Sequence, residues 1–453
     1  MINNTNEILS QNINEVEGIL MEFMHKIVRQ EEDKKLYIDS VELLIGNTIS
    51  EFTNAVLSMA GLALSNISGN KKTHCNCGKK LTPIKENEPI GFLSMFGKII
   101  IVRDCDFCRR CGVGHGKNDD TIGLNRSHRQ TKGITEAITY ASQLVPSFQR
   151  ASEVLKKFLH VDISATQMQI ISEEIGNKVF ERQMMAANKA YEKPEETIGS
   201  ILEKDKKDGI LYIMMDGSAV NTRIQDENNS SWKEMKLGLI FSDRDLITRS
   251  NGDKIITKKE YVTYFGSVGE FKKLVFEAAA RAGYGILKKV VVIGDGAQWI
   301  WNMCEELFPD AVRILDYFHL SENVYGYAKA LYQEDEVGRR IWVNIVLDLI
   351  KKDKVDEALE YITVTLIKNL PPGVGNLYNY IENNKDRIKY KTYKENGYYI
   401  GSGPIESGNK VVIQQRMKQS GMRWGVSGGQ YIAALRAKYE SNLWDNVVEI
   451  VNG

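Results

Sequence analysis

The chain has 453 residues, and its 59 basic residues are balanced by 59 acidic residues to a formal net charge of zero. This length exceeds that of one ordinary domain and predicts several units with a sizeable core. The balanced charge by itself does not indicate a nucleic-acid binder. No apolar stretch approaches the roughly 20 residues that a membrane span needs, and the sequence MINNTNEILSQNINEVEGIL lacks the pattern of a secretory signal. A cytoplasmic protein with no membrane partner is therefore expected.

Residues 1–72 are predicted to form an N-terminal helical arm. Apolar residues recur here at helical spacing, without the alternation of a strand. They are Ile8, Ile13, Val16, Ile19, Leu20, Phe23, Met24 and Ile27. A packing or dimerising role is the default interpretation of such an arm.

Residues 73–118 are predicted to form a small cysteine-rich domain. Five of the six cysteines lie between Cys75 and Cys111, and in a reducing compartment such clustering favours metal binding over disulfides. Cys108 and Cys111 have the C-x-x-C spacing of a zinc knuckle and precede Gly112, as such a turn requires. The run KIIIVRDCDF predicts a strand that leads into this knuckle, and Cys105 belongs to that strand.

Residues 119–190 are predicted to be helical, with three short helices at about 133–145, 147–159 and 164–176. Ser164 is placed as the N-cap of the third helix, after the break HVDISAT. A short turn between two amphipathic helices fits a DNA-binding helix-turn-helix, but a generic helical bundle explains the same pattern. The polar stretch 192–208 is predicted to be a linker.

Residues 205–453 change to short apolar strands that later alternate with helices. Strands are predicted at 210–217, 234–241, 260–266, 288–296 and 311–319, with a helix at 268–283. This order indicates a mixed α/β sheet. The pattern then becomes helical to about Asn384, with a Pro-Pro-Gly break at 371–373.

Three carboxylates define the candidate catalytic site. Asp216 and Asp295 each follow an apolar strand run, and the first and fourth strands of such a sheet commonly lie side by side, with ligands at their carboxyl ends. Glu406, at the start of a late helix, can cover the same point. Three carboxylates around one cleft need cations to stay ionised, which favours two Mg²⁺ (or Mn²⁺) ions acting on a phosphodiester. For each acid alone, a turn or helix-capping role is the alternative.

The segment DYFHLSEN adds Asp316, His319 and Glu322 at a spacing of three, which places them on one helical face. One interpretation of His319 is a proton-transfer group or a metal ligand. The alternatives are a helix cap, or a side chain that orients the ligands without contacting the metal. The nearby Trp299 and Trp301 are expected to be core residues.

The late helical segment is basic around Glu406. Lys410, Arg416, Lys418 and Arg423 are predicted to contact DNA phosphates, and a solvated helical face is the alternative.

Several ordered motifs together resemble the bacterial insertion-sequence DDE transposases of the Kra group, and more distantly the Lre group and the mutator-like enzymes. They are DGS at 216, GDGAQWIW at 294, FPDAVRILDYFH at 308, GSGPIES at 401, RMKQSGMRW at 416 and LRAKYESNLWD at 435. The resemblance covers roughly residues 73–445. It implies an RNase H-like catalytic domain with a helical insertion at about 325–395 and a triad of Asp216, Asp295 and Glu406. Asp316 stays open as an alternative second aspartate.

In the same family a first zinc knuckle precedes the second, and Cys77 with Gly78 resembles it. The usual partner three residues before Cys77 is His74 here, whereas Cys75 is the nearer cysteine. The fourth ligand of a structural zinc therefore stays open between His74 and Cys75.

The expected function is that of a transposase that binds the terminal inverted repeats of its own element and cuts and joins DNA at a target site. It is expected to act as a homo-oligomer on DNA, and in a bacterium to associate with the nucleoid when bound. A non-catalytic zinc-ribbon regulator and an RNase H-like nuclease without strand transfer are the alternatives. Dependence on a divalent metal separates the transposase from the regulator, and the joining of element ends separates it from the nuclease.

Overall fold

The computed structural model describes residues 2–32, 37–65, 73–116, 129–199, 206–225, 227, 229–250, 254–367 and 371–453. The chain divides into two compact units, Met1–Ile175 with Val448–Gly453 and Gly176–Val447. Part of the predicted linker, 200–205, and the predicted boundary at 118–119 lie outside the described residues. No helix in the described ranges is long and apolar enough to cross a bilayer.

The first unit contains two long helices, a small sheet and a set of shorter helices. Its elements are α1 (Ile2–Glu32), α2 (Ile38–Ser65), β1 (Thr82–Ser94), β2 (Gly97–Cys108), β3 (Val113–Gly116), α3 (Lys132–Leu144), α4 (Phe148–Leu159) and the start of α5 (Ala165–Glu192). Residues 2–32 and 38–65 are thus helical, and β2 is the strand that leads into Cys108.

The small sheet is antiparallel in the order β1-β2-β3. Phe92, Ile99 and Ile101 form its buried core, and Leu57 of α2 packs against them. Burial of these apolar side chains attaches α2 to the sheet, since the removal of apolar surface from water is the main favourable term in packing.

Helices α3, α4 and α5 enclose a second core, which includes Ile134, Ile138, Leu155 and Met168. The predicted cap at Ser164 is present, because its Oγ accepts a hydrogen bond of 3.2 Å from the backbone N–H of Gln167. The third helix is much longer than the sequence pattern predicts, since α5 continues to Glu192.

The second unit is a mixed α/β structure with many helices. Its strands are β4 (Lys207–Asn221), β5 (Trp232–Ser242), β6 (Leu246–Thr248), β7 (Lys254–Ile256), β8 (Glu260–Tyr264), β9 (Leu287–Gly294) and β10 (Val312–Leu315). Its helices up to residue 395 are α6 (Pro194–Ile198), α7 (Val268–Ala282), α8 (Gln298–Leu307), α9 (Tyr317–Tyr332), α10 (Glu336–Lys351), α11 (Val355–Val364), α12 (Leu377–Asn383) and α13 (Tyr390–Glu395). The C-terminal helices are α14 (Gly403–Gly408), α15 (Gln415–Met417), α16 (Val426–Glu440) and the first residues of α17 (Asp445–Asn452), with a π-helix at Asn409–Gln414 between α14 and α15.

The main sheet has the order β10-β9-β4-β5-β8. Strands β4, β5 and β8 are antiparallel neighbours, whereas β9 and β10 run parallel to β4. The first and fourth long strands of this unit therefore lie side by side, as the sequence predicts. The residues from Leu211 to Met215 are all buried, so this strand is covered on both faces. Such burial explains why it is a continuous apolar run rather than an alternating one.

Candidate functional site

Asp216 and Asp295 come from neighbouring parallel strands. The pairing of β4 with β9 ends at Met214 opposite Ile293. Asp216 and Asp295 each lie two residues beyond this last pair, Asp216 within β4 and Asp295 directly after the end of β9. Adjacent strands lie about 4.8 Å apart, so the two carboxylates arise from neighbouring points at this edge of the pairing. Contrary to the sequence pattern, Asp216 does not end its strand, because β4 stays paired with β5 as far as Asn221.

The Asp216 carboxylate is held on both oxygens. Its Oδ1 accepts a hydrogen bond of 2.7 Å from the backbone N–H of Gly217, and its Oδ2 accepts one from the side-chain amide of Asn409. Burial raises the pKa of Asp216, and the negative charge of Asp295 acts in the same direction. The environment therefore disfavours the ionised form unless a cation is bound.

Asp295 lies in the tight turn between β9 and α8. Gly296 has a φ of 101°, a conformation that favours glycine. The turn lets Asp295 Oδ1 accept a hydrogen bond of 2.9 Å from the backbone N–H of Ala297. The hydroxyl of Tyr380 donates a longer bond, of 3.4 Å, to the backbone oxygen of Asp295.

Glu406 lies in the first turn of α14, which packs against β4 and β5. Its Oε1 accepts a hydrogen bond from the hydroxyl of Ser402, and its backbone N–H donates to the backbone oxygen of Ser402 at 3.0 Å. Ser402 is buried. The glutamate is thus fixed from the buried N-terminal end of its own helix while its side chain stays exposed.

Asp316 is fully buried and caps α9. Its Oδ2 accepts a hydrogen bond of 2.9 Å from the backbone N–H of His319 and lies 2.6 Å from His319 Nδ1, while its Oδ1 accepts one of 2.6 Å from the backbone N–H of Ser402. Burial acts to raise the pKa of Asp316, but the hydrogen bonds from His319 and Ser402 together lower it.

His319 belongs to the same group as Glu406. Ligand atoms of Asp316, His319 and Glu406 all lie within 4.8 Å of one another. The hydrogen bond to Asp316, and secondarily the negative charges of Asp316, Asp295 and Glu322, raise the pKa of His319 to about 9. At neutral pH His319 is therefore a cation beside the carboxylates. The cap of α9 is Asp316, whose carboxylate accepts from the backbone N–H of His319, so the capping role considered for His319 belongs to Asp316.

Four cysteines form a second candidate metal centre, in the first unit. The sulfur atoms of Cys75, Cys77, Cys108 and Cys111 all lie within 4.8 Å of one another. The Cys75–Cys111 and Cys77–Cys108 sulfur pairs are 3.9 Å and 3.6 Å apart. A backbone hydrogen bond from Lys79 is the largest of the effects that lower the pKa of Cys77 to about 7, whereas the hydrogen bonds with Cys77 and Cys108 raise the pKa of Cys111 to about 12.

The structure places Cys75, and not His74, in this cluster. His74 is exposed, and its Nδ1 lies 3.0 Å from the hydroxyl of Thr73. Cys75 is therefore the fourth member of the cluster. The geometry favours it over His74 as the fourth ligand. Cys105 is buried in β2 and lies outside the group.

The basic residues predicted to contact DNA divide into two kinds. Lys410, Lys418 and Arg423 are exposed. Burial lowers the pKa of Lys418, while the negative charge of Asp216 acts to raise it, so this lysine lies within electrostatic range of the carboxylate.

Arg416, in contrast, is buried, and the prediction that it contacts DNA is wrong. It is only 1% exposed, and its guanidinium lies over the ring of Trp424 at 5.3 Å from the centroid. Burial lowers its pKa to about 10. A side chain packed in this way does not present its charge to a DNA strand. The sequence offered no means to separate it from Lys418, because both are basic residues of the same segment.

Two residues of the site were not identified from the sequence, Ser402 and Asn409. Ser402 links Asp316 to Glu406, and Asn409 contacts Asp216. The spacing of three between Glu406 and Asn409 was an available signal, since residues at this spacing share a helical face.

Comparisons with known proteins identify a family for this chain and a solved structure that it resembles. A search of curated proteins finds no match. The solved structure described as the Drosophila P element transposase strand transfer complex contains a similar chain, with a TM-score of 0.36 and 10% sequence identity. The similarity covers 69% of this chain and 93% of that chain. The model of the uncharacterised protein family UPF0236 matches residues 78–451, which is most of the sequence. The chain therefore belongs to the uncharacterised protein family UPF0236.

Proposed function

We propose that this protein is a DDE transposase, which binds the ends of its insertion sequence and catalyses metal-dependent DNA cleavage and strand transfer. The observation that carries the proposal is that Asp216 and Asp295 each lie two residues beyond the last pair of the adjacent strands β4 and β9, with the helix of Glu406 packed against β4. The ordered motifs that resemble the Kra-group transposases support it. In this proposal the second unit is an RNase H-like catalytic domain, and α9–α13 correspond to its helical insertion.

The residues present fit divalent magnesium or manganese. Asp216, Asp295 and Glu406 offer carboxylate oxygens, which are the donors that such hard cations prefer. The environment of Asp216 disfavours its ionised form, so a cation is the natural partner for this group. Two bound ions would supply activation of the attacking water or DNA 3′ hydroxyl and stabilisation of the leaving oxygen.

Asp295 is the better candidate for the second catalytic aspartate than Asp316. Asp316 is fully buried, and its two oxygens cap α9 and hold Ser402. Asp295, in contrast, accepts on Oδ1 from Ala297, and within the described residues its Oδ2 has no hydrogen-bond donor. Asp295 is also only half-buried, so its Oδ2 is more accessible to a cation than the oxygens of the fully buried Asp316.

The remaining residues of the site have binding and orienting roles. Asp316 and Ser402 hold Glu406, and His319 offsets the negative charge of the carboxylates. Lys410, Lys418 and Arg423 bind the phosphates of the DNA backbone and fix its register without reading its sequence. Because Lys418 lies within range of Asp216, this contact would bring the DNA backbone close to the carboxylates.

The cysteine cluster fits a structural zinc ion. A tetrahedral Zn²⁺ with bonds of about 2.3 Å to sulfur separates its ligands by roughly 3.8 Å, and the sulfur–sulfur distances of 3.6 Å and 3.9 Å agree with this spacing. Bound zinc would join the two cysteine knuckles, and β1–β3 with these knuckles would then form a small zinc ribbon. The ribbon, together with a helix-turn-helix formed by α4 and α5, would bind the element ends, and the protein would act as a homo-oligomer on DNA.

The test uses DNA that carries the inverted repeats flanking the gene. Purified protein with Mg²⁺ is expected to cut at the ends of the element and to join them to a target DNA. Cleavage without joining would instead identify a nuclease. Binding of the repeats with no cleavage in Mg²⁺ or Mn²⁺ would identify a regulator, and either result would overturn the proposal.

A further inference from the structure

Asn409 lies three residues after Glu406, at the start of the π-helix. It is only 5% exposed. Its Nδ2 donates a hydrogen bond to Asp216 Oδ2, whereas its Oδ1 is buried and has no hydrogen-bond partner among the described residues. One half of this amide is therefore satisfied by the candidate catalytic carboxylate, and the other half is not satisfied at all.

An unpartnered buried amide oxygen is costly. Leaving such a group without a partner carries a desolvation penalty, and the few unsatisfied groups in native proteins call for a ligand, an ion or a functional reason. The backbone points the same way, because π-helical turns are rare and frequently occur at functional sites. Both features coincide at Asn409, one turn from Glu406.

The position of Oδ1 follows from covalent geometry. It is bonded to the same carbon as Nδ2, so it lies beside the Asp216 carboxylate that Nδ2 contacts. Amide carbonyl oxygens bind hard divalent cations together with carboxylates. An ion held by Asp216 would thus have an oxygen ligand ready within the same small volume.

We propose that Asn409 Oδ1 is a further ligand of the divalent cation held by Asp216. This inference rests on the proposed function, since it concerns the same metal site. It adds a neutral ligand to the three carboxylates, and it explains why the buried oxygen lacks a partner in the protein. The competing role is purely orienting, in which Asn409 acts only through the hydrogen bond that it donates to Asp216.

Two substitutions separate these roles. Asn409→Asp keeps an oxygen at the ligand position but loses the N–H donor, whereas Asn409→Ala loses both. The measurement is the binding of Mn²⁺ alone, without DNA, to the full chain with its cysteine cluster saturated with Zn²⁺, followed by the electron paramagnetic resonance signal of free Mn²⁺. Asn409→Ala is expected to weaken Mn²⁺ binding by about 10-fold or more, and Asn409→Asp to bind at least as tightly as the wild type.

Controls make the outcome specific to the site. Gln130 in the first unit also has a buried, unpartnered Oε1, but its Nε2 donates to the hydroxyl of Thr135, so Gln130→Ala should leave Mn²⁺ affinity unchanged. If the added carboxylate destabilises metal-free Asn409→Asp, the rise of its melting temperature with Mn²⁺ concentration reports the same affinity.

The possible results distinguish a ligand role of Asn409 from a purely orienting role. Weak Mn²⁺ binding by both Asn409→Asp and Asn409→Ala would mean that the donated hydrogen bond is what matters, and would overturn the ligand assignment. Wild-type binding by Asn409→Ala would overturn it as well. Asp216→Asn tests the metal site itself, because wild-type Mn²⁺ affinity in that variant would refute the proposed function and not merely the role of Asn409.

Discussion

The backbone N–H of Ser402 donates a hydrogen bond of 2.6 Å to Asp316 Oδ1, and this bond joins the end of β10 to the start of the helix that carries Glu406. The hydroxyl of the same serine donates to Glu406. A fully buried aspartate thus orients an exposed glutamate through one intervening residue.

Removal of this aspartate should destabilise the protein strongly. Asp316→Ala leaves the N–H groups of Ser402 and His319 without their acceptor, and we expect a loss of about 3 kcal/mol in the free energy of unfolding. Chemical denaturation measures this loss. As a control, Asp348 forms an exposed ion pair with Lys352, and Asp348→Ala should change stability by less than about 0.5 kcal/mol. Equal effects of the two variants would contradict the account.

The milder Asp316→Asn should change the titration of His319. The hydrogen bond to Asp316 is the largest cause of the raised pKa of His319, about 9, so its loss should move that pKa down toward 6.5. Titration by NMR of the imidazole protons measures the shift. A pKa that stays near 9 in Asp316→Asn would contradict this account, because it would show that other carboxylates keep the pKa of His319 high.

Zinc should depend on the four clustered sulfurs and not on the neighbouring histidine. Cys75→Ser and Cys108→Ser should each lose zinc and the order of the small sheet, because a structural site supplies folding energy. His74→Ala should keep the metal. Cys105→Ser is the matched control, since it also removes a buried thiol but lies outside the cluster. Metal analysis of the purified variants decides the point, and zinc loss in His74→Ala would refute the assignment of Cys75.

Lys418 and Arg416 should behave differently although they are two residues apart. Lys418→Ala should weaken binding to all DNA sequences alike and reduce the log-log salt slope by roughly one unit for the lost phosphate contact. Arg416→Ala should mainly destabilise the fold, because its guanidinium packs over Trp424. Binding isotherms at several salt concentrations, with a parallel denaturation curve, separate the two effects. A reduced salt slope in a fully stable Arg416→Ala would contradict the assignment of Arg416 to the core.

Topology rules made part of the site predictable. The order of apolar runs placed the strand of Asp295 beside the strand of Asp216, and hydrophobicity placed Trp301 in the core, where it is only 1% exposed. The cap at Ser164 followed from local backbone chemistry.

Other features depend on tertiary contacts that a sequence does not display. The burial of Arg416 is set by the position of Trp424, and β4 continues past Asp216 because its hairpin partner β5 continues to pair. The spacing of Cys77 could not choose between His74 and Cys75, since the choice depends on how the knuckle folds. The sequence does not single out Asn409, because its place in the site depends on a side-chain contact with Asp216 of another element.

The most direct test of the central claim replaces Asp216, Asp295 or Asp316 with cysteine and compares DNA cleavage in Mg²⁺ and in Mn²⁺. A thiolate binds the softer Mn²⁺ better than Mg²⁺. We therefore expect Asp216→Cys and Asp295→Cys to be inactive in Mg²⁺ and to recover cleavage in Mn²⁺, whereas Asp316→Cys should show no such recovery. Wild-type cleavage by Asp295→Cys in Mg²⁺, or recovery in Mn²⁺ by Asp316→Cys instead, would contradict the proposed catalytic site.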